Sequence, residues 1–123
     1  MAAASRPQAL PRGRRMQLPG EFARVRNGGR RIVCGCLILN WAPASTPNTR
    51  LGVVTSRKLG GAVERNRARR LMRECFRRHQ CELNQPVDLV LVARNSINGR
   101  QMALVEADYL TALERAGMRG GRQ

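Results

Sequence analysis

The densest chemistry in the chain lies in one stretch, GAVERNRARRLMRECFRRHQC, where seven arginines fall within the fourteen residues from Arg65 to Arg78. At roughly 100° per residue this stretch divides into two faces. Ala68, Leu71, Met72, Cys75, Phe76 and His79 share one arc of about 140°, an apolar stripe suited to a core. Arg65, Arg69, Arg73 and Arg77 recur every four residues as a continuous ridge. Asn66 and Arg70 stand beside that ridge, and Arg67 and Arg78 widen it. Guanidinium groups are planar forks that hold phosphate through paired N–H bonds. Like charges four apart destabilise an isolated helix by ~0.2–0.5 kcal/mol per pair. Only Glu64 and Glu74 are at hand to relieve them. A merely solvated helix interleaves its charges; this one carries a cost that a polyanion would remove.

Nothing else in the chain assembles a self-contained active site. The sole histidine, His79, lies on the core stripe, and the eight acidic residues are scattered. A protein-only nuclease needs clustered carboxylates for metal ions. Cys34, Cys36, Cys75 and Cys81 lack a C-x2-C knuckle, and zinc would require Cys34 and Cys36 to meet Cys75 and His79. In a strand, Cys34 and Cys36 point to one face; all four cysteines read as small hydrophobes, reduced in the absence of a secretory signal.

Composition agrees with the ridge. The chain has 123 residues, the size of one domain, and a net charge of +15 with a pI near 11.8. Such a domain calls for nucleic acid or an anionic membrane. All basic residues but Lys58 are arginine, a bias that phosphate binding or a GC-rich genome would each produce. Phe22, Trp41, Phe76 and Tyr109 are the only aromatics, few for a surface of many stacked bases. No apolar run approaches the ~20 residues of a membrane span. The opening MAAASRPQALPRGRR has no apolar centre and reads as a basic tail rather than a signal or transit peptide.

Residues 1–18 are therefore expected to be a flexible tail, 19–117 one RNA-binding domain and 118–123 a frayed end. LPGEFARVRNGGRR reads as a short helix ended by Gly28-Gly29, and IVCGCLILNW as one largely buried strand. APASTPNT is a loop, and RLGVVTSR a second strand, expected to form an antiparallel hairpin with the first. A helix follows over 62–79. PVDLVLVAR, apolar on both faces apart from Asp88 and Arg94, suits a central covered strand. NSINGR is a turn. A last helix carries Met102, Val105, Tyr109, Leu113 and Ala116 at helical spacing, with Gly117 as its cap. The order helix, strand, strand, helix, strand, helix is an α+β sandwich of one small sheet packed with helices. There is no zipper or second recognition helix for DNA, and RNA suits an arginine ridge on a compact domain at least as well.

The stretch TSRKLGGAVERNRARRLMRECFR closely resembles the signature of the protein subunits of bacterial ribonuclease P. Arg65-Asn66-Arg67 matches that family's RNR motif, and Arg69, Arg70, Arg73, Glu74, Phe76 and Arg77 fall at the positions expected after it. Phe22, RLGVVTSRK and DLVLVAR support the match, which spans about residues 19–116. The resemblance implies a ribosomal-protein-like αββαβα sandwich, shared with an elongation factor G domain, in which the motif helix lies on a left-handed βαβ crossover. That handedness is against the usual rule and is not readable from this sequence.

It also implies a function. Such a subunit binds the ribonuclease P RNA and the 5′ leader of precursor tRNA, so that the leader is removed endonucleolytically. Catalysis belongs to the RNA, which uses Mg2+; the protein binds no cofactor or metal and has no catalytic side chain. It needs no membrane and no protein partner, and works in the bacterial cytoplasm. By position, Arg65, Asn66, Arg67, Arg69, Arg70, Arg73 and Arg77 would meet the catalytic RNA, and Phe22, Arg26, Arg57 and Lys58 the leader cleft. Arg26 stands where many relatives carry a second aromatic, and Gly61 where they often carry Asn, so the leader is expected to be held more by charge than by stacking. A purely structural, ribosomal-type RNA-binding protein and a DNA-binding regulator are the alternatives.

Overall fold

The apolar run from Ile32 to Trp41 does not stay one strand. The structure, a computed structural model, describes residues 15, 16 and 19–119, and there the run folds back at Gly35-Cys36. Strand β1 (Arg30–Cys34) pairs antiparallel with β2 (Leu37–Pro43), with Cys34 opposite Leu37. Gly35 has φ +58°, and a Cβ there would lie 2.1 Å from the Asp108 carboxylate. Only glycine meets both conditions. Asp108 also accepts the Cys36 N–H at 2.9 Å, so the turn is set by a residue far along the chain. Cys34 and Cys36 thus flank a turn rather than sharing a strand face, although both are buried.

The expected pairing of the next strand is also corrected. β3 (Arg50–Val54) does not pair with β2; it runs parallel to β4 (Val87–Ala93), which is antiparallel to β2 on its other side. The sheet order is β1-β2-β4-β3. β4 is the most apolar strand, and the central place satisfies both its edges while covering both its faces. Helix α2 (Ala62–His79) joins β3 to β4, forming the parallel βαβ unit that the resemblance implies.

Two helices cover one face of the sheet. α2 contributes buried Ala68, Met72, Cys75 and Phe76, with Leu71 and His79 half-buried at its margin. α3 (Met102–Arg115) contributes Val105, Tyr109, Ala112 and Leu113. They pack on Leu37, Leu39, Leu51, Leu89 and Leu91. Gly117, at φ +74°, ends α3 as expected: its N–H reaches Glu114 O and Met118 N–H reaches Leu113 O, both at 3.0 Å. The opposite face has a lighter cover, α1 (Pro19–Gly28) and Met16, which meet Ala42 and Val90 in a second small cluster. The tail expected over 1–18 lies outside the described residues except for Arg15 and Met16. Met16 is buried and its N–H bonds Leu51 O on the outer edge of β3. Of the frayed end expected over 118–123, Met118 and Arg119 are described: Met118 is buried and Arg119 bridges Leu83.

Candidate nucleic-acid interface

The chain's eight carboxylates are all committed. Seven sit in ion pairs. The eighth, Glu64, caps α2 by accepting the Gly61 N–H at 2.9 Å. The surplus positive charge therefore has nothing within the described fold to neutralise it, and where it collects is decided by which arginines took the carboxylates.

That allocation divides the α2 ridge. Arg77 and Arg78 both bond Glu74, and these bonds, Arg77 first, hold the Glu74 carboxyl down at about 2. Arg67 turns away from the ridge and donates to the carbonyls of Ile97 and Arg100, tying α2 to the turn before α3. Arg69 donates to Thr55 Oγ1 at 2.8 Å and to Asn66, and Arg65 Nε reaches its own turn at Gly61 O. Arg70 is exposed and makes no hydrogen bond or ion pair among the described residues. Arg73 is half-buried, and its proton affinity is lowered, by burial first and then by Arg15 and Arg69 nearby. The stretch Arg65–Arg73 is thus a cationic surface with no internal anion.

A groove lies between α1 and the lightly covered sheet face. It has a volume of about 610 Å³. Phe22, Arg26 and Asn27 come from α1, and Arg31, Ile38, Asn40, Val54 and Val92 from the strands. The period-2 alternation of the strands explains the set, since Asn40 pairs Val90, Ile38 pairs Val92 and Val54 pairs Val92 on one face. Around Phe22 the groove meets a second hollow of about 220 Å³, lined by Arg15, Met16, Phe22, Leu51, Gly52, Val53 and Arg73. An apolar floor with an aromatic ring and a basic rim suits unstacked bases and their phosphates. Arg57 and Lys58 are exposed on the 3-10 turn after β3 (Arg57–Leu59) and do not line the groove.

Sequence reasoning did not find Gly52, Asn40, Arg31 or Arg15. A Cβ on Gly52 would lie 2.5 Å from the Phe22 ring, so this glycine makes the seat on which the ring rests. Asn40 and Arg31 are opposite one another in the β1–β2 register; the signal for them lay in that pairing, which needed the turn at Gly35. Burial, with Asp108 adding, pushes the Cys36 thiol up to about 12, and burial does the same for Cys75. His79 is held between Glu82 at 2.5 Å and Glu106 at 2.6 Å. Among the described residues no three His, Cys, Asp or Glu side chains gather as a metal site.

Comparison with known proteins agrees with this geometry. The family model described as Ribonuclease P matches residues 10–117. The ribonuclease P protein component of Roseiflexus sp. (strain RS-1) is 37% identical over 110 residues, 89% of this chain and 90% of its own length. That of Syntrophomonas wolfei is 32% identical over 109 residues, covering 89% and 92%. In fold, the RNase P protein of Staphylococcus aureus superposes with a TM-score of 0.79 at 23% identity, over 87% of this chain and 98% of that one. The basic ridge and the groove beside it are thus carried by a chain that belongs to the ribonuclease P protein family.

Proposed function

We propose that the chain is the protein subunit of a ribonuclease P ribonucleoprotein and that it binds both the catalytic RNA and the 5′ leader of precursor tRNA. The observation that carries this reading is the continuity of two surfaces at Phe22. The groove that would hold a single strand opens, through the hollow lined by Arg15 and Arg73, onto the arginine ridge of α2. Arg65, Asn66, Arg69, Arg70 and Arg73 dock on the RNA subunit, with Arg67 and Arg77 holding the helix that presents them. Phe22 stacks on a leader base, Arg26 takes a leader phosphate, and Arg57 and Lys58 meet phosphates between the two surfaces.

Phosphodiester cleavage belongs to the RNA subunit in this reading. The magnesium ions of such a complex would activate the attacking water and stabilise developing charge. They would be held by RNA, since the described carboxylates are all paired or capping and gather into no metal site. No described helix is long and apolar enough to cross a membrane, and the complex works in the bacterial cytoplasm.

Reconstitution tests the proposal. The purified chain, added to a bacterial ribonuclease P RNA at low magnesium, is expected to restore 5′ cleavage of a precursor tRNA. Tight RNA binding without restored cleavage would overturn it in favour of a structural RNA-binding protein.

A further inference from the structure

One feature facing the groove side of the sheet is not explained by RNA contact. Asp88 on β4 is fully buried, and its carboxylate gathers partners from three places. Arg24 of α1 pairs with it, Arg50 of β3 reaches both its oxygens at 3.3 Å, and Ser45 donates from its N–H at 3.3 Å and its hydroxyl at 3.1 Å. Arg50 in turn pairs with Glu21 of α1 at 2.7 Å. The charges alternate in sign along a chain, Glu21, Arg50, Asp88, Arg24, which the backbone of α1 closes into a ring. Both ends of the ring are on α1, one turn apart, and Phe22 lies between them in sequence.

A buried carboxylate gives up its hydration at a cost that its partners must offset, and an apolar replacement of a buried ion network is often as stable. Stability alone is therefore a weak reason for such a ring. Geometry is a better one. α1 fully buries only Val25, with Phe22 partly buried beside it, so apolar packing by itself holds the roll of the helix about its own axis only lightly. Two charged tethers to fixed strands define that roll. They set Phe22 and Arg26, four apart and on one helix face, against the groove.

We propose that Glu21, Arg24, Arg50 and Asp88 are positioning residues that hold α1 at the angle and distance at which the groove accepts a single strand. The inference rests on the leader-binding reading above. It makes a prediction whose sign is opposite to that of simple electrostatics. Glu21→Gln removes a negative charge from a protein already at +15, which by attraction alone strengthens binding of a polyanion. If Glu21 positions α1, the same change weakens it.

The test uses the reconstituted ribonucleoprotein and two substrates, a precursor tRNA with a leader of ~10 nucleotides, within the reach of small single-strand grooves, and the same tRNA without one. The readout is the ratio of their affinities. Glu21→Gln is expected to lower that ratio by roughly threefold or more, the scale on which residues of a packed network act without touching the ligand. Affinity for the RNA subunit is expected to stay unchanged. Arg24→Ala should lower the ratio in the same way, with Arg24→Lys recovering part of it. A ratio unchanged or raised in Glu21→Gln overturns the inference while leaving the leader reading in place. A ratio of one in the wild-type complex overturns the leader reading and this inference with it.

Discussion

Arg73 and Arg77 are equivalent by spacing and opposite by environment, which makes the salt dependence of RNA binding a sharp test of the interface. Arg77 is balanced by Glu74, whose carboxyl it keeps ionised down to about 2. Among the described residues Arg73 has no carboxylate partner, and it sits beside Arg15 and Arg69, which, after burial, lower its hold on its proton. A phosphate approaching Arg73 relieves that crowding and releases a counterion, whereas one approaching Arg77 must compete with Glu74. Each phosphate contact adds about −0.7 to −0.9 to the slope of log affinity against log salt. Removing the contact at Arg73 should flatten the slope by that amount, or roughly 2.6- to 3.5-fold less loss of affinity over a fourfold rise in salt. Arg70→Ala should match Arg73→Ala, and Arg77→Ala should leave the slope as it was. Fluorescence anisotropy of labelled ribonuclease P RNA, titrated with each variant from about 50 to 200 mM salt, measures this. If Arg77→Ala flattens the slope as much as Arg73→Ala, the division of the ridge by ion pairing is wrong.

Other consequences concern the groove and the frame. Gly52→Ala places a methyl 2.5 Å from the Phe22 ring and must drive the ring from its seat; leader affinity should fall toward that of Phe22→Ala, a loss of ~1–3 kcal/mol if one base stacks there, while RNA-subunit binding holds. Arg26→Ala should flatten the salt slope of leader binding and Phe22→Ala should not, and equal slopes in both would show that Arg26 meets no phosphate. Arg67→Ala should lower stability by ~0.5–1.5 kcal/mol, because it removes the bonds that tie α2 to the Ile97 and Arg100 carbonyls while Ile97 O keeps the Arg100 N–H at 3.1 Å; Arg70→Ala, exposed and without a bond among the described residues, should not. Burial opposes the charged form of His79, but its bonds to Glu82 and Glu106 outweigh this and raise its affinity for a proton. Its contribution to stability is therefore fully present below the unfolded pKa of about 6.5 and is lost as pH rises through the higher folded value. Denaturation midpoints of wild type and His79→Gln should converge above that range, and a gap that widens with pH would refute the assignment.

The elements that periodicity marks were legible from residues alone. α2 and α3 show a 3.6-residue stripe long enough to have no rival reading, and β4 is apolar on both faces, which only a central strand can use. The hairpin at Gly35 was not legible, because the residues around it are apolar without a break, and the glycine is required by Asp108, 73 positions away in sequence. Strand pairing failed for a related reason. The loop APASTPNT permits a hairpin, but β4, apolar on both faces, takes the edge of β2 instead, and that pairing joins strands far apart in the chain.

The candidate site divides along the same line. By itself the sequence determined that the chain carries far more positive charge than it can neutralise, that this charge concentrates on one helix with a core stripe behind it, and that the order Arg65-Asn66-Arg67 belongs to a recognisable family. Only the tertiary structure decided which arginines are spent internally, because Glu74 captures Arg77 locally while Ile97 and Arg100 capture Arg67 across the fold. It also decided that Phe22 rests on Gly52, and that a buried Asp88 ties α1 over the sheet. Charge and periodicity are properties of a local stretch; the partners that cancel a charge or seat a ring are chosen by proximity in space.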